Sequence, residues 1–144
     1  MQNFQWMTEG NVVLPQIDYR KIEQWLLNVA KNHGKIIGDI NYIFCDDKTI
    51  VDVNNQYLKH DYFTDIITFD RSTRGTLKAD IYISLDTVES NAHKLQQNFL
   101  TELHRVIVHG VLHLCGFKDK TPQERAEMEN RENNALLLLQ NTNQ

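Results

Sequence analysis

The sequence predicts an α+β fold: a small mixed sheet packed with about five helices. Three observations carry this expectation. Strand-like and helix-like segments follow one another as β-α-β-α-β-β-α-α-α, so the helical C-terminal half has to bury its apolar faces against a sheet built earlier in the chain. The 144 residues make one ordinary domain, of a size that buries roughly 70% of its unfolded surface. Apolar residues are 41% and charged residues 24% of the chain, a globular balance that excludes disordered, collagen-like and mucin-like classes. No repeat, low-complexity tract or Gly/Ser/Pro linker interrupts it, so residues 1–144 are expected to form a single domain.

Each element has its own signal. Phe4 to Met7 suits a short strand. Asp18 stands at an N-cap position before Tyr19, Ile22, Trp25, Leu26 and Val29 at helical spacing, and Gly34 ends that helix. Ile36 to Cys45 is rich in β-branched and aromatic residues and reads as a strand, followed by a helix from Lys48 to about Leu58. Ile66 to Phe69 and Leu77 to Ser84 flank RSTRGT, a loop with turn chemistry. Leu77, Ala79, Ile81 and Ile83 alternate with Lys78, Asp80, Tyr82 and Ser84, as in two paired strands. Three helices complete the chain, from Asp86 to about Gln97, Phe99 to about Cys115, and Pro122 to Leu139.

Composition narrows the function classes. Two cysteines are too few for a disulfide-stapled secreted domain, which points to a reducing, cytoplasmic setting. The N-terminus lacks the charge and apolar run of a signal peptide, and the longest strictly apolar stretch, Ala135 to Leu139, falls far short of a membrane span. The net charge of −4 gives no global attraction to nucleic acid, so RNA binding would need a local patch.

The chemistry is concentrated in HGVLHLCGFKDKTPQE, His109 to Glu124. His109 and His113 stand four apart on a helix, about 40° around the axis and one turn along it, so both imidazoles reach one ion. Gly116 is placed to end the helix in a left-handed cap and turn Asp119 back toward them. Thr121, Pro122 and Glu124 spell a capping box with proline at the first helical position, confining the intervening loop. Two histidines and a carboxylate hold catalytic zinc with an open position, and the same set holds non-haem iron. A chance histidine pair on an apolar helix is the competing explanation. Gly110, a residue that costs a helix interior roughly 1 kcal/mol, weighs against it and implies a close approach beside His109. His104 is about 140° and 180° from the two histidines and is expected not to be a ligand. Cys115 reads as a small buried hydrophobe. A zinc peptidase of the HExxH type needs glutamate where Gly110 stands, which disfavours that chemistry.

HGVLHLCGFKD resembles the HGxLHLxGYDH signature of the YbeY family of bacterial ribosomal-RNA maturation factors, single-strand-specific, metal-dependent endoribonucleases. VNNQYLKHDYFTDIITF is similar to that family's LNxxYRxxDxPTDVLSF segment and ADIYIS to its GDIxIS strand, in the same order along the chain. The resemblance implies a mixed four-stranded sheet with the histidine helix beside it, and one divalent ion, zinc, held by His109, His113 and Asp119. It also implies single-stranded ribosomal RNA and the ribosome or its proteins as partners, with neither DNA nor a membrane expected. Three positions depart from the pattern. Asp119 replaces the third histidine, and its negative charge makes the ion a weaker Lewis acid. Leu58 replaces an arginine, leaving the adjacent Lys59 to supply charge toward phosphate without the planar fork. Phe63 replaces proline, while Thr64 and Asp65 remain. Lys59 and Asp65 are therefore the expected catalytic residues, and Arg71, Arg74 and Lys118 are further candidate phosphate contacts. Other readings stay open at this stage: a ribosome-associated assembly factor with a structural metal, a small metallopeptidase or amidase, and a non-haem oxygenase.

Overall fold

The structure, a computed structural model, describes residues 3–58 and 64–141. Four strands, β1 (Phe4–Glu9), β2 (Ile36–Cys45), β3 (Ile66–Asp70) and β4 (Thr76–Ser84), and five helices, α1 (Tyr19–Asn32), α2 (Asp47–Leu58), α3 (Leu85–Lys94), α4 (Phe99–Leu114) and α5 (Pro122–Asn141), follow in the order β1-α1-β2-α2-β3-β4-α3-α4-α5. The sheet order is β1-β2-β4-β3. β1 runs parallel to β2 and β2 to β4, while β3 pairs antiparallel with β4, so the sheet is mixed and has β1 and β3 as its edges.

Strand alternation assigns the two faces. Ile40, Tyr42 and Phe44 of β2 and Leu77, Ala79, Ile81 and Ile83 of β4 are buried in the main core with residues of α1, α4 and α5. The opposite face carries a smaller cluster, Cys45, Ile50, Val53 and Ile67, beneath α2. Two buried donors pin the helices: Trp25 Nε1 donates to the Ala135 carbonyl at 2.8 Å, tying α1 to α5, and the Tyr42 hydroxyl donates to the Ile107 carbonyl at 2.7 Å, tying the sheet to α4. Burial raises the Tyr42 pKa, so the phenol stays a donor.

Element boundaries shift where tertiary pairing outweighs local signal. β1 continues past Met7 to Glu9 because its register on β2 runs from Phe4–Ile40 to Glu9–Cys45. α3 stops at Lys94, three residues before the expected end: Leu95 is its C-cap and Gln96 adopts φ 55°. α5 runs two residues past Leu139. Asp18 caps α1 as its position implied, accepting from Lys21 N at 3.1 Å. No helix among the described residues is long and apolar enough to cross a membrane.

Candidate metal centre and active-site cavity

α4 presents its histidines because both of its ends are fixed. Asn98 Oδ1 accepts from Thr101 N at 2.7 Å at the start. At the other end Gly116 N donates to the His113 carbonyl at 3.0 Å and Phe117 N to the Leu112 carbonyl at 3.2 Å, the paired bonds of a Schellman cap. That cap requires the left-handed φ of +109° at Gly116, which a glycine adopts without steric cost. The chain turns and meets the second cap at once: Thr121 N and Lys120 N both donate to Glu124 Oε1 at 3.0 Å, and Glu124 N donates to Thr121 Oγ1 at 3.1 Å. Asp119 is carried on the short loop between these caps.

The loop returns Asp119 to the first histidine, with Asp119 Oδ2 3.4 Å from His109 Nε2. The other ring nitrogen is held from α5, where Glu132 Oε2 lies 2.7 Å from His109 Nδ1. Glu132 is itself buried, and its second oxygen accepts from Arg105 Nη1 at 3.0 Å. Burial alone would lower the His109 pKa, but the Glu132 hydrogen bond and the charges of Glu132, Asp119 and Asp65 outweigh it and hold the imidazole above its ordinary value. A neutral ring donating Nδ1–H to Glu132 leaves its Nε2 lone pair facing Asp119.

These groups line a cavity of about 530 Å³ bounded by α4, β3 and the loop before α5. Asp65 and His113 also line it. Burial pushes the Asp65 carboxyl above the usual carboxylate range; His109 opposes the shift, and Glu132 and Asp119 reinforce it. Four of the five residues expected from sequence thus meet at one cavity, while Lys59 lies outside the described residues.

The other sequence candidates are elsewhere. His104 packs edge-on against Trp25 with ring centroids 6.1 Å apart and takes no part in the cavity. Arg71 pairs with Asp80 at 3.1 Å and Asp39 at 3.6 Å, and neither Arg74 nor Lys118 lines the cavity. Gly110 does mark a close approach, but to the sheet: a Cβ there would lie 2.9 Å from Ile81 Cδ1. The glutamate of an HExxH peptidase has no room at that position.

Sequence reasoning missed Glu132, Arg105 and Glu102. Glu132 had a readable signal, because it stands on the stripe of Met128, Ala135 and Leu139, the buried face of α5. A carboxylate on such a stripe needs a buried partner. Glu102 is 4% exposed, has Arg105 Nε 3.9 Å from its Oε1, and that oxygen accepts no hydrogen bond among the described residues.

His109 Nε2 and Asp119 Oδ2 fit two ligands of one metal ion in chemistry and spacing. Two ligands at about 2.0–2.1 Å from a tetrahedral ion are separated by about 3.3 Å, close to the 3.4 Å between His109 Nε2 and Asp119 Oδ2. Among the described residues no three His, Cys, Asp or Glu side chains form a group able to hold an ion, and His113 is exposed on the next turn of α4. The carboxylate behind His109 is the usual outer support of a metal-bound imidazole.

Comparison with known proteins decides the family. The model of the family described as Endoribonuclease YbeY matches residues 7–140. The chain belongs to the YbeY family. A YbeY endoribonuclease of Bacteroides thetaiotaomicron is 52% identical over 133 residues, covering 92% of this chain and 96% of that protein. One from Porphyromonas gingivalis is 48% identical over 142 residues, covering 99% and 93%. The solution structure of a Thermotoga maritima protein shares the fold at a TM-score of 0.59 and 23% identity, covering 97% of this chain and 93% of that one. The α+β architecture expected of a YbeY protein is the one observed.

Proposed function

We propose that this chain is a metal-dependent endoribonuclease that cuts single-stranded ribosomal RNA during ribosome maturation, with one zinc ion held by His109, His113 and Asp119. Family membership supports the reaction class. The observation that carries the site is the convergence of Asp119 on the one His109 nitrogen that Glu132 leaves open. Such an ion supplies Lewis acidity toward a phosphate oxygen and lowers the pKa of water.

The chain's own groups do the rest. Glu132 fixes the His109 tautomer and ring plane, and Arg105 occupies the second Glu132 oxygen so that the carboxylate cannot turn away. Lys120 and Arg105 put positive charge on the cavity wall, where an RNA phosphate has to enter past four carboxylates, Asp65, Glu102, Asp119 and Glu132. Asp65, its carboxyl pKa raised by burial, is the group suited to carry a proton to or from a reacting oxygen. Lys59 is assigned a phosphate contact on the resemblance of its segment. Ribosomal association and a cytoplasmic location complete the reading.

The test is cleavage of a single-stranded ribosomal RNA fragment and of its matched duplex by purified, metal-restored protein. Internal cutting of the single strand, lost in the His109→Ala/His113→Ala double variant, is expected. Equal activity of that variant and wild type would remove the nuclease assignment, and histidine-dependent turnover of casein would replace it with the peptidase.

A further inference from the structure

Tyr57 and Phe69 form an aromatic ledge beside the cavity. Tyr57, in the last turn of α2, is 60% exposed, and its ring meets Phe69 edge-on with centroids 5.7 Å apart at 78°. Phe69 meets Tyr82 edge-on in turn, at 6.0 Å and 84°, and both pack on the cluster of Cys45, Ile50, Val53 and Ile67. The exposed ring is thus backed by rings that the core holds in place. An edge-to-face contact leaves at least one Tyr57 face uncovered by Phe69.

The ledge is continuous with the cavity along two elements. Asn54, one turn before Tyr57 on α2, lines the cavity, and so does Ile67, the same-face neighbour of Phe69 on β3. The aromatic pair is the next step outward, about 5 Å along the helix and about 7 Å along the strand. Ile67 and Phe69 lie on the α2 face of the sheet and Ile66 packs toward α4, so the step from the ledge to the cavity passes around the free edge of β3.

We infer that the Tyr57–Phe69 pair is a stacking subsite for one unpaired base of the RNA strand whose phosphate enters the cavity. The inference rests on the endoribonuclease reading and adds the physical origin of its strand preference. A base in a matched duplex has both faces covered by its neighbours and cannot reach the ledge, whereas an unpaired base can stack there whatever its identity. Stacking moves no counterions, so this contribution is independent of salt, unlike that of Lys120 and Arg105.

The test is steady-state cleavage of a single-stranded oligoadenylate by metal-loaded protein at two salt concentrations, comparing wild type with Tyr57→Ala, Tyr57→Phe and Tyr57→Trp. Tyr57→Ala should raise KM about tenfold with kcat little changed and by the same factor at both salts. Tyr57→Phe and Tyr57→Trp should restore KM, and Tyr57→Trp fluorescence should be quenched on adding oligoadenylate, a readout that does not depend on the alanine variant folding. Wild-type KM in Tyr57→Ala, a loss in Tyr57→Phe as large as in Tyr57→Ala, or an unquenched tryptophan would overturn the ledge while leaving the nuclease reading in place. A wild-type protein that leaves the oligonucleotide uncut overturns both.

Discussion

Glu132 and His109, 23 residues apart in sequence, meet through a 2.7 Å contact between α5 and α4, and that contact decides which imidazole nitrogen faces Asp119. Replacing Glu132 with glutamine keeps the side-chain shape but removes the charge that makes the imidazole a strong donor to an ion. Affinity for zinc should fall about 10- to 100-fold, the usual cost of losing an outer-shell carboxylate. Competition titration against a chelator reads this directly. Unchanged affinity would reduce Glu132 to a partner of Arg105.

Gly110 separates the fold's needs from the chemistry. Its missing Cβ lets α4 approach Ile81, so Gly110→Glu forces a charge into the helix–sheet contact. The variant should lose on the order of 3 kcal/mol or more by denaturant unfolding. A stable Gly110→Glu protein would show that α4 stands farther from the sheet.

Protonation of His104 should weaken the fold. Burial lowers the His104 pKa and the nearby Lys21 charge lowers it further, so the folded state resists a proton that the unfolded chain accepts near pH 6.5. The stability conferred is present above about pH 6.5 and is lost as the pH falls through the lowered folded value. The thermal midpoint should therefore drop between pH 7.5 and 5.5, and His104→Gln should flatten that drop. In the slope that remains, His33, whose pKa burial and Arg131 also lower, acts in the same direction, and His109, held above its ordinary value, acts against it. Identical pH profiles for the variant and wild type would contradict this assignment.

The thiols should be inert in the native state. Burial, with the Asp46 carboxylate the charge that adds most to it, pushes Cys45 up to about 12, and burial pushes Cys115 up to about 11. Iodoacetamide at pH 8 should label both only after unfolding, as followed by mass spectrometry. Prompt labelling of native Cys45 would mean that the α2 face of the sheet opens readily.

What was legible in the sequence was local. The i, i+4 spacing of His109 and His113, the glycine cap and the capping box at Thr121 and Glu124 are short-range patterns whose geometry follows from helix rules, and they placed Asp119 on the right loop. The Leu77–Ile83 alternation likewise separated the two sheet faces. Contacts between distant helices were not legible. Arg105 and Glu132 are 27 residues apart and each passes for a solvated charge until α4 and α5 are docked. The sheet order, with β4 inserted between β2 and β3, is another long-range choice that no local signal encodes. Gly110 was legible as a close approach but not as to what it approached.

Zinc occupancy of the variants tests the central claim most directly. Wild type, His109→Ala, Asp119→Ala and His104→Ala proteins would be dialysed against the same limiting free zinc and their metal content measured by elemental analysis. The account predicts about one ion per chain in wild type and His104→Ala, with most of it lost in His109→Ala and Asp119→Ala. Full occupancy in His109→Ala, or loss in His104→Ala, would contradict it and place the ion elsewhere in the fold.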